Sequence, residues 1–210
     1  MKVTIVGAGN MSSGLVKQLS QAGHQIRVTA RDPVKAQALA AQHRNVTAVA
    51  ANEALADADV VIVATGYADA VPALQVLGDL RGKTVIDITN PLTADYMGLT
   101  IGHTTSAAEE IARALPGANV VKAFNTVFAQ VLADGPQLAN GERVSVFFAG
   151  DSESAKQTVK ALIDSAGFKA VDTGGLKNAR YLESLAGLNI YFGYGAGLGT
   201  SIAPAWLSKA

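Results

Sequence analysis

The sequence predicts an α/β chain on a doubly wound, mostly parallel sheet, and three observations carry that prediction. Short runs rich in Val, Ile and Thr recur along the chain without the polar alternation of a half-exposed strand. Segments with helical spacing and recognisable caps separate them. A glycine-rich turn follows the first run directly. Strands covered on both faces and alternating with helices define this architecture.

The elements follow in order. VTIVGAG, from Val3, reads as a buried strand, and NMSSGLVKQLSQAG as a helix that Gly23 stops. HQIRVTA is the second strand. Asp32 then caps a helix opened by Pro33, since proline is tolerated at the first helical position. VTAVA is a strand, NEALADA a short helix, and DVVIVAT, from Asp59, a further strand. A helix is expected from Asp69 to Leu77, then the strand TVIDIT and a long loop over residues 90–105. Ser106 and Glu109 form a capping-box pattern before EEIARAL. NVVKAF and RVSVFFAG are strands. A helix over residues 152–166, the strand FKAVDT and a last helix from Leu176 complete the chain. No linker divides it, so residues 1–210 read as one domain, with 143–210 a C-terminal α/β extension and helical annex.

Composition narrows the functions. The chain has 210 residues with seventeen positive and seventeen negative side chains, and no basic run. Nothing here advertises nucleic acid or an anionic membrane, and a small-molecule substrate is expected. No cysteine is present, which removes disulfides, thiolate catalysis and cysteine metal sites. The N-terminal apolar run is broken by Gly7 and Gly9, unlike a secretory leader, so a cytoplasmic protein is expected. The uncharged stretch over residues 184–206 holds too many Gly and polar residues to span a bilayer. It is expected to be buried, over the cleft or in the two-fold interface of a homodimer.

The chemistry concentrates in GAGNMS. A dinucleotide fingerprint reads G-x-G-x-x-G, and here Gly7 and Gly9 stand in place while Ser12 replaces the third glycine. The first glycine permits the tight turn, and the second lets backbone approach a pyrophosphate at the helix N-terminus. The third serves helix-on-strand packing only. Ser12 is expected to bond back to the carbonyl four residues earlier and to leave the phosphate site intact. A bare strand–turn–helix would need the same glycines, but the position at the first strand of a βαβ unit favours the cofactor. An NAD site places an acid about 20 residues further on. Here VTARDPVK offers Thr29, Arg31 and Lys35, a set suited to a 2′-phosphate, with Asp32 spent on the helix cap. NADP(H) is the expected cofactor of this Rossmann-type core.

With VGAGNM, HQIRVTARDPVKA, DVVIVAT, VIDITNP, TSAAEE, VVKAFNT and GGLKNARYLE in this order, the sequence resembles the NADPH-dependent deazaflavin (coenzyme F-420) reductase family over nearly its whole length. The resemblance implies a Rossmann core with NADP at the strand ends and a deazaflavin- or flavin-like ring over the nicotinamide. It implies that Gly7, Gly9, Asn10 and Met11 hold the pyrophosphate and that Thr29, Arg31 and Lys35 hold the 2′-phosphate end. Ala64 and Thr65 would flank the dinucleotide, with Asn90, Pro91 and Asn125 near the nicotinamide. The family often has serine where this chain has Ala30, and commonly keeps the glycine that Ser12 replaces.

No metal-ligand spacing and no nucleophile–base pair is recognisable. His24 and His43 read as surface residues. His103, in the long loop, and Tyr67, after DVVIVAT, are the candidates for touching substrate. Asp87 reads as a structural carboxylate, Ser106 and Glu109 are explained by the capping box, and Tyr191, Phe192 and Tyr194 read as core unless they wall a ring site. Hydride transfer between stacked rings needs positioning more than acid–base side chains, so this absence suits an NADP-dependent oxidoreductase. A non-catalytic NADP-binding redox sensor and a reductase of a small carbonyl or imine are the alternatives.

Overall fold

The computed structural model describes residues 1–207. Eight strands form one sheet in the order β3-β2-β1-β4-β5-β6-β7-β8. They are β1 (Lys2–Val6), β2 (Gln25–Thr29), β3 (Val46–Ala48), β4 (Val60–Val63), β5 (Thr84–Asp87), β6 (Asn119–Ala123), β7 (Ser145–Gly150) and β8 (Lys169–Asp172). Every pairing is parallel except β6 with β7. The helices are α1 (Asn10–Gln21), α2 (Pro33–Ala40), α3 (Tyr67–Gln75), α4 (Ala107–Ala114), α5 (Ala129–Asp134), α6 (Glu153–Ser165) and α7 (Ala179–Ile190). This is a Rossmann-like arrangement with one antiparallel step.

Two apolar cores explain why the strand runs show no polar alternation. Side chains along a strand point to opposite faces in turn. Val60 and Ile62 therefore enter the core beneath α1, α2 and α6, while Val61 and Val63 enter the one beneath α3 and α4. Ile86 and Val85, then Val121 and Val120, divide the same way.

Capping fixes the helix starts as expected in two places. Asp32 accepts a hydrogen bond from Val34 N–H at the start of α2, and Ser106 accepts one from Glu109 N–H at the start of α4. Gly23, at φ +82°, terminates α1. Around NEALADA there is only a three-residue 3-10 turn, Ala51–Glu53, at the start of that stretch in place of the expected helix. The short helix α5 has no counterpart in the sequence reading. It is too short for periodicity to show, and it persists by packing on α1.

That packing corrects the role given to Ser12. The hydroxyl of Ser12 is buried and makes no hydrogen bond, so the expected bond to the preceding turn is absent. The close approach comes at Gly14 instead, where a Cβ would lie 2.5 Å from Leu132 Cβ on α5. Lys17 Nζ and Gln18 Nε2 then donate to the carbonyls of Ala133 and Leu132 at the end of α5.

His24 is also corrected. It is buried, with Nδ1 3.0 Å from the Met1 ammonium and Nε2 2.8 Å from Ser165 Oγ. Burial first, and the ammonium second, hold its pKa below the ordinary imidazole range. His43 is half-buried.

The C-terminal run departs most from expectation. α7 continues into one π-type turn over Tyr191–Gly195, and Tyr191, Phe192, Tyr194, Leu198 and Trp206 are exposed in the single chain. The stretch over residues 184–206 is thus only partly buried, through Ala186, Asn189 and Gly193. Helical spacing cannot separate an aromatic face that meets the core from one that leaves it. No helix among the described residues is long and apolar enough to cross a membrane.

Gly14→Val should destabilise the fold by about 1–3 kcal/mol, the usual cost of overpacking a tight contact. Urea unfolding would measure it, and an unchanged midpoint would show that the α1–α5 approach is not tight.

Candidate functional site

The site begins where β1 turns into α1 at the carboxyl ends of the strands. Gly7 has φ +123°, and a Cβ there would lie 2.5 Å from the Ala64 carbonyl oxygen, so only glycine fits against the end of β4. Gly9 is different. Its backbone is extended, and a Cβ would meet nothing within 4 Å, because the position faces an open cleft. α1 starts there without a side-chain cap and without an acidic residue in its first turn. Its free N–H groups and dipole face the cleft, a setting that favours an anion.

The cleft has a volume of about 620 Å³. Gly7, Gly9, Thr29, Arg31, Lys35, Ala64 and Thr65 line it, so the structure brings together most of the residues expected at the phosphates. Arg31 extends from the end of β2, its side chain 92 % exposed and 4.0 Å from Asp69 on α3. So loose a surface pair contributes little, and the guanidinium stays available.

A second cavity, of about 590 Å³, opens beyond the first turn of α1. Met11 lines it, two residues from Gly9. Three segments that are distant in sequence enclose it. The first is the turn held by Thr93 and Gly98, which presents Asp95, Tyr96 and Met97. The second follows β6 and presents Asn125, Thr126 and Phe128. The third is the end of α7 with its π-type turn, where Tyr194 meets Phe128 edge-on at 5.8 Å.

Asn90 and Asn125 form an amide pair in the wall of this cavity. Asn90 Nδ2 donates to the Asn125 carbonyl at 2.9 Å. Asn125 Nδ2 donates to Asn90 Oδ1 at 3.0 Å and to the Leu182 carbonyl at 3.0 Å. Main-chain carbonyls at both ends fix which way each amide points. Asn125 Oδ1 is left as a buried acceptor without a partner, and Thr126 Oγ1 beside it is another. Phe124, just before, holds φ +61°, a strained conformation for a bulky residue. Its ring is buried edge-on against Phe168 at 6.1 Å, which anchors the turn.

Beneath the amide pair lies a charged cluster that sequence reasoning did not assemble. Lys122 on β6 pairs with Asp87, its neighbour on β5, at 2.8 Å, and with Glu183 on α7 at 2.8 Å. All three side chains are at most 1 % exposed. Lys122 also donates to the Thr89 carbonyl at 2.5 Å, and Asp87 accepts from Thr89 N–H at 2.8 Å. Glu183 accepts from Ala107 N–H and Ala108 N–H at the start of α4. Asp87 is a buried carboxylate with both oxygens bonded, to Thr89 N–H and to Lys122. Lys122 and Glu183 gave one signal, a lone charge within an otherwise apolar strand and helix face.

Glu109 does more than close a capping box, because its carboxylate takes two hydrogen bonds from Arg180, at 2.8 and 2.7 Å. That guanidinium, foremost, holds its carboxyl below the usual range. Asn10, Pro91, Tyr67 and His103 lie outside the lining of both cavities. The Tyr67 hydroxyl is pushed up, by burial first and then by the carboxylates of Glu110, Glu183 and Asp87. His103 is exposed at φ +56°, and its carbonyl accepts from Arg180 at 3.2 Å. No group of three or more His, Asp or Glu among the described residues is arranged to hold a metal.

A mostly parallel sheet of this order, a glycine turn at its first strand and an anion-facing cleft define a dinucleotide-binding protein of the Rossmann-like class. Comparison with known proteins agrees and narrows it. The family described as NADP oxidoreductase, coenzyme F420-dependent, matches residues 2–91. An F420-dependent NADP reductase of Methanothermobacter marburgensis is 30 % identical over 207 residues, covering 90 % of this chain and 91 % of its own. The metalloreductase STEAP3 of Rattus norvegicus is 32 % identical over 185 residues, 88 % of this chain, which spans 36 % of that protein's length. The crystal structure of a putative F420-dependent NADP reductase from Arthrobacter sp. FB24 superposes with a TM-score of 0.84 at 31 % identity, covering 96 % of each chain. This chain belongs to the F420-dependent NADP oxidoreductase family.

Proposed function

We propose that the protein transfers a hydride between NADPH and a deazaflavin- or flavin-like ring. The observation that carries this reading is the pairing of two cavities across the first turn of α1. One is long, open and anion-friendly, and the other is walled by Met11, Tyr96, Met97, Phe128 and Tyr194. The donor set fits a dinucleotide, because Gly9 leaves open the space a Cβ would fill and α1 has no cap of its own.

In this reading Gly7, Gly9, Asn10 and Met11 form the pyrophosphate turn; Gly7 N–H is bonded to the Thr29 carbonyl at 2.8 Å, so the backbone N–H groups after it face the phosphates. Thr29, Arg31 and Lys35 take the 2′-phosphate end, and Ala64 and Thr65 flank the dinucleotide. Asn90, Pro91 and Asn125 stand at the nicotinamide, where Asn125 Oδ1 offers its unused acceptor. When bound, NADPH supplies the hydride. The chain's own part is to align two rings and to exclude water with the aromatic and Met side chains around the second cavity. Tyr67 and His103, which line neither cavity, are the candidates for touching bound substrate, and no side chain of this site is assigned a proton-transfer step. The exposed Tyr191, Phe192, Tyr194, Leu198 and Trp206 suit a homodimer contact, for which sedimentation velocity is the direct check.

Arg31→Ser should weaken NADPH binding about ten- to a hundredfold, as expected for losing a charged hydrogen bond of about 1.5–3 kcal/mol. NADH binding should hardly change. Equal losses would show that Arg31 does not read the 2′-phosphate. NADPH deuterated stereospecifically at C4 should pass its label to a deazaflavin or flavin acceptor. Label appearing instead in a small carbonyl or imine product would reassign the acceptor. Tight NADPH binding with no oxidation across a broad acceptor panel would favour a redox sensor.

A further inference from the structure

Charge is segregated along the site. The phosphate end carries Arg31 and Lys35, whereas no Lys, Arg or His lines the second cavity. The one charged side chain in that lining is Asp95. The Thr93 hydroxyl and the Met97 N–H keep its carboxyl below the usual range, so it is ionised at neutral pH.

Beneath the cavity, the cluster of Asp87, Lys122 and Glu183 holds two carboxylates and one ammonium. Each carboxyl oxygen faces a donor. Asp87 Oδ1 takes Thr89 N–H and Oδ2 takes Lys122. Glu183 Oε2 takes Ala107 N–H, and Oε1 takes Ala108 N–H and faces Lys122. Two acidic side chains against one basic one leave the cluster a formal excess of one negative charge. The amino end of α4 offsets part of it. The chain places this charge close to the amide pair. Asp87 is three residues before Asn90, Lys122 three before Asn125, and Glu183 follows the carbonyl that Asn125 grips. Tyr67 also faces the cluster: its hydroxyl is pushed up by burial first, then by Glu110, Glu183 and Asp87, with Lys122 opposing them.

We infer that this buried excess charge sets the redox-state preference of the site, favouring the cationic oxidised nicotinamide over the neutral reduced ring. The inference rests on the proposed placement of the nicotinamide at Asn90 and Asn125. Hydride departure removes two electrons and one proton from the reduced ring, which becomes positively charged, and delivers both electrons and the proton to the acceptor. A fixed negative charge beneath the donor ring stabilises the charge as it develops, without reorganisation. A buried charge near the ring, partly offset by a helix dipole, corresponds to roughly a three- to tenfold effect on binding.

The test is the pair of dissociation constants for NADP⁺ and NADPH, by calorimetry and nicotinamide fluorescence, in the parent and in Glu183→Gln. The ratio of the NADP⁺ constant to the NADPH constant should rise about three- to tenfold, mostly through weaker NADP⁺ binding. Asp87→Asn should move it the same way and supplies the measurement if the first variant does not fold. An unchanged ratio, or parallel weakening of both cofactors, would overturn the inference and leave the cluster a structural role. Adenosine 2′,5′-bisphosphate, which reaches only the phosphate end, serves as the control ligand and should bind both variants like the parent. Failure of the parent to bind this probe or NADPH would overturn the proposed function itself.

Discussion

The ammonium of Lys122 is the point on which the geometry of the site depends. It lies in the sheet interior with two carboxylates and a main-chain carbonyl around it. Through them it ties β5, β6, α7 and the first turn of α4 to one another. Moving an isolated charge into such a place costs several kcal/mol, and removing one partner of a buried pair costs about 3–5 kcal/mol. An interaction with so unfavourable a desolvation term is a poor way to gain stability. Its effect here is directional, because Asp87 and Lys122 grip both sides of Thr89, and Asn90 follows at once.

The two cavities differ for reasons that lie in the backbone. Gly7 is required by the chain itself, since the end of β4 leaves no room for a Cβ. Gly9 is required by nothing inside the chain, and its small size leaves open the space above α1. The second cavity has no such local origin. Loop 93–98, the strained turn at Phe124 and the π-type turn after α7 meet only in the folded molecule.

Legibility followed the range of the interactions. Strand runs, the Asp32 and Ser106 caps and the Gly7–Gly9 turn depend on neighbours within a few residues, and each was readable. Helix α5 was not, because six residues carry too little periodicity and its stability comes from Gly14, Lys17 and Gln18 on another helix. Ser12 was misjudged for a related reason. The sequence motif marks where a glycine commonly sits, whereas the close helix–helix contact in this chain falls two residues later. His24 looked like a surface residue because its partners, Met1 and Ser165, are brought to it by the sheet and α6.

The amino-acid sequence by itself determined the α/β alternation, the anion-facing turn after β1 and the cationic set at the end of β2. Each of these is written in local periodicity, backbone freedom or side-chain type. Only the tertiary structure decided which charges are buried together, which way the Asn90–Asn125 amides point and which aromatic residues stay exposed. Asp87, Lys122 and Glu183 stand 35 and 61 residues apart in the chain. Their pairing follows from strand register and from the docking of α7, which no local pattern encodes.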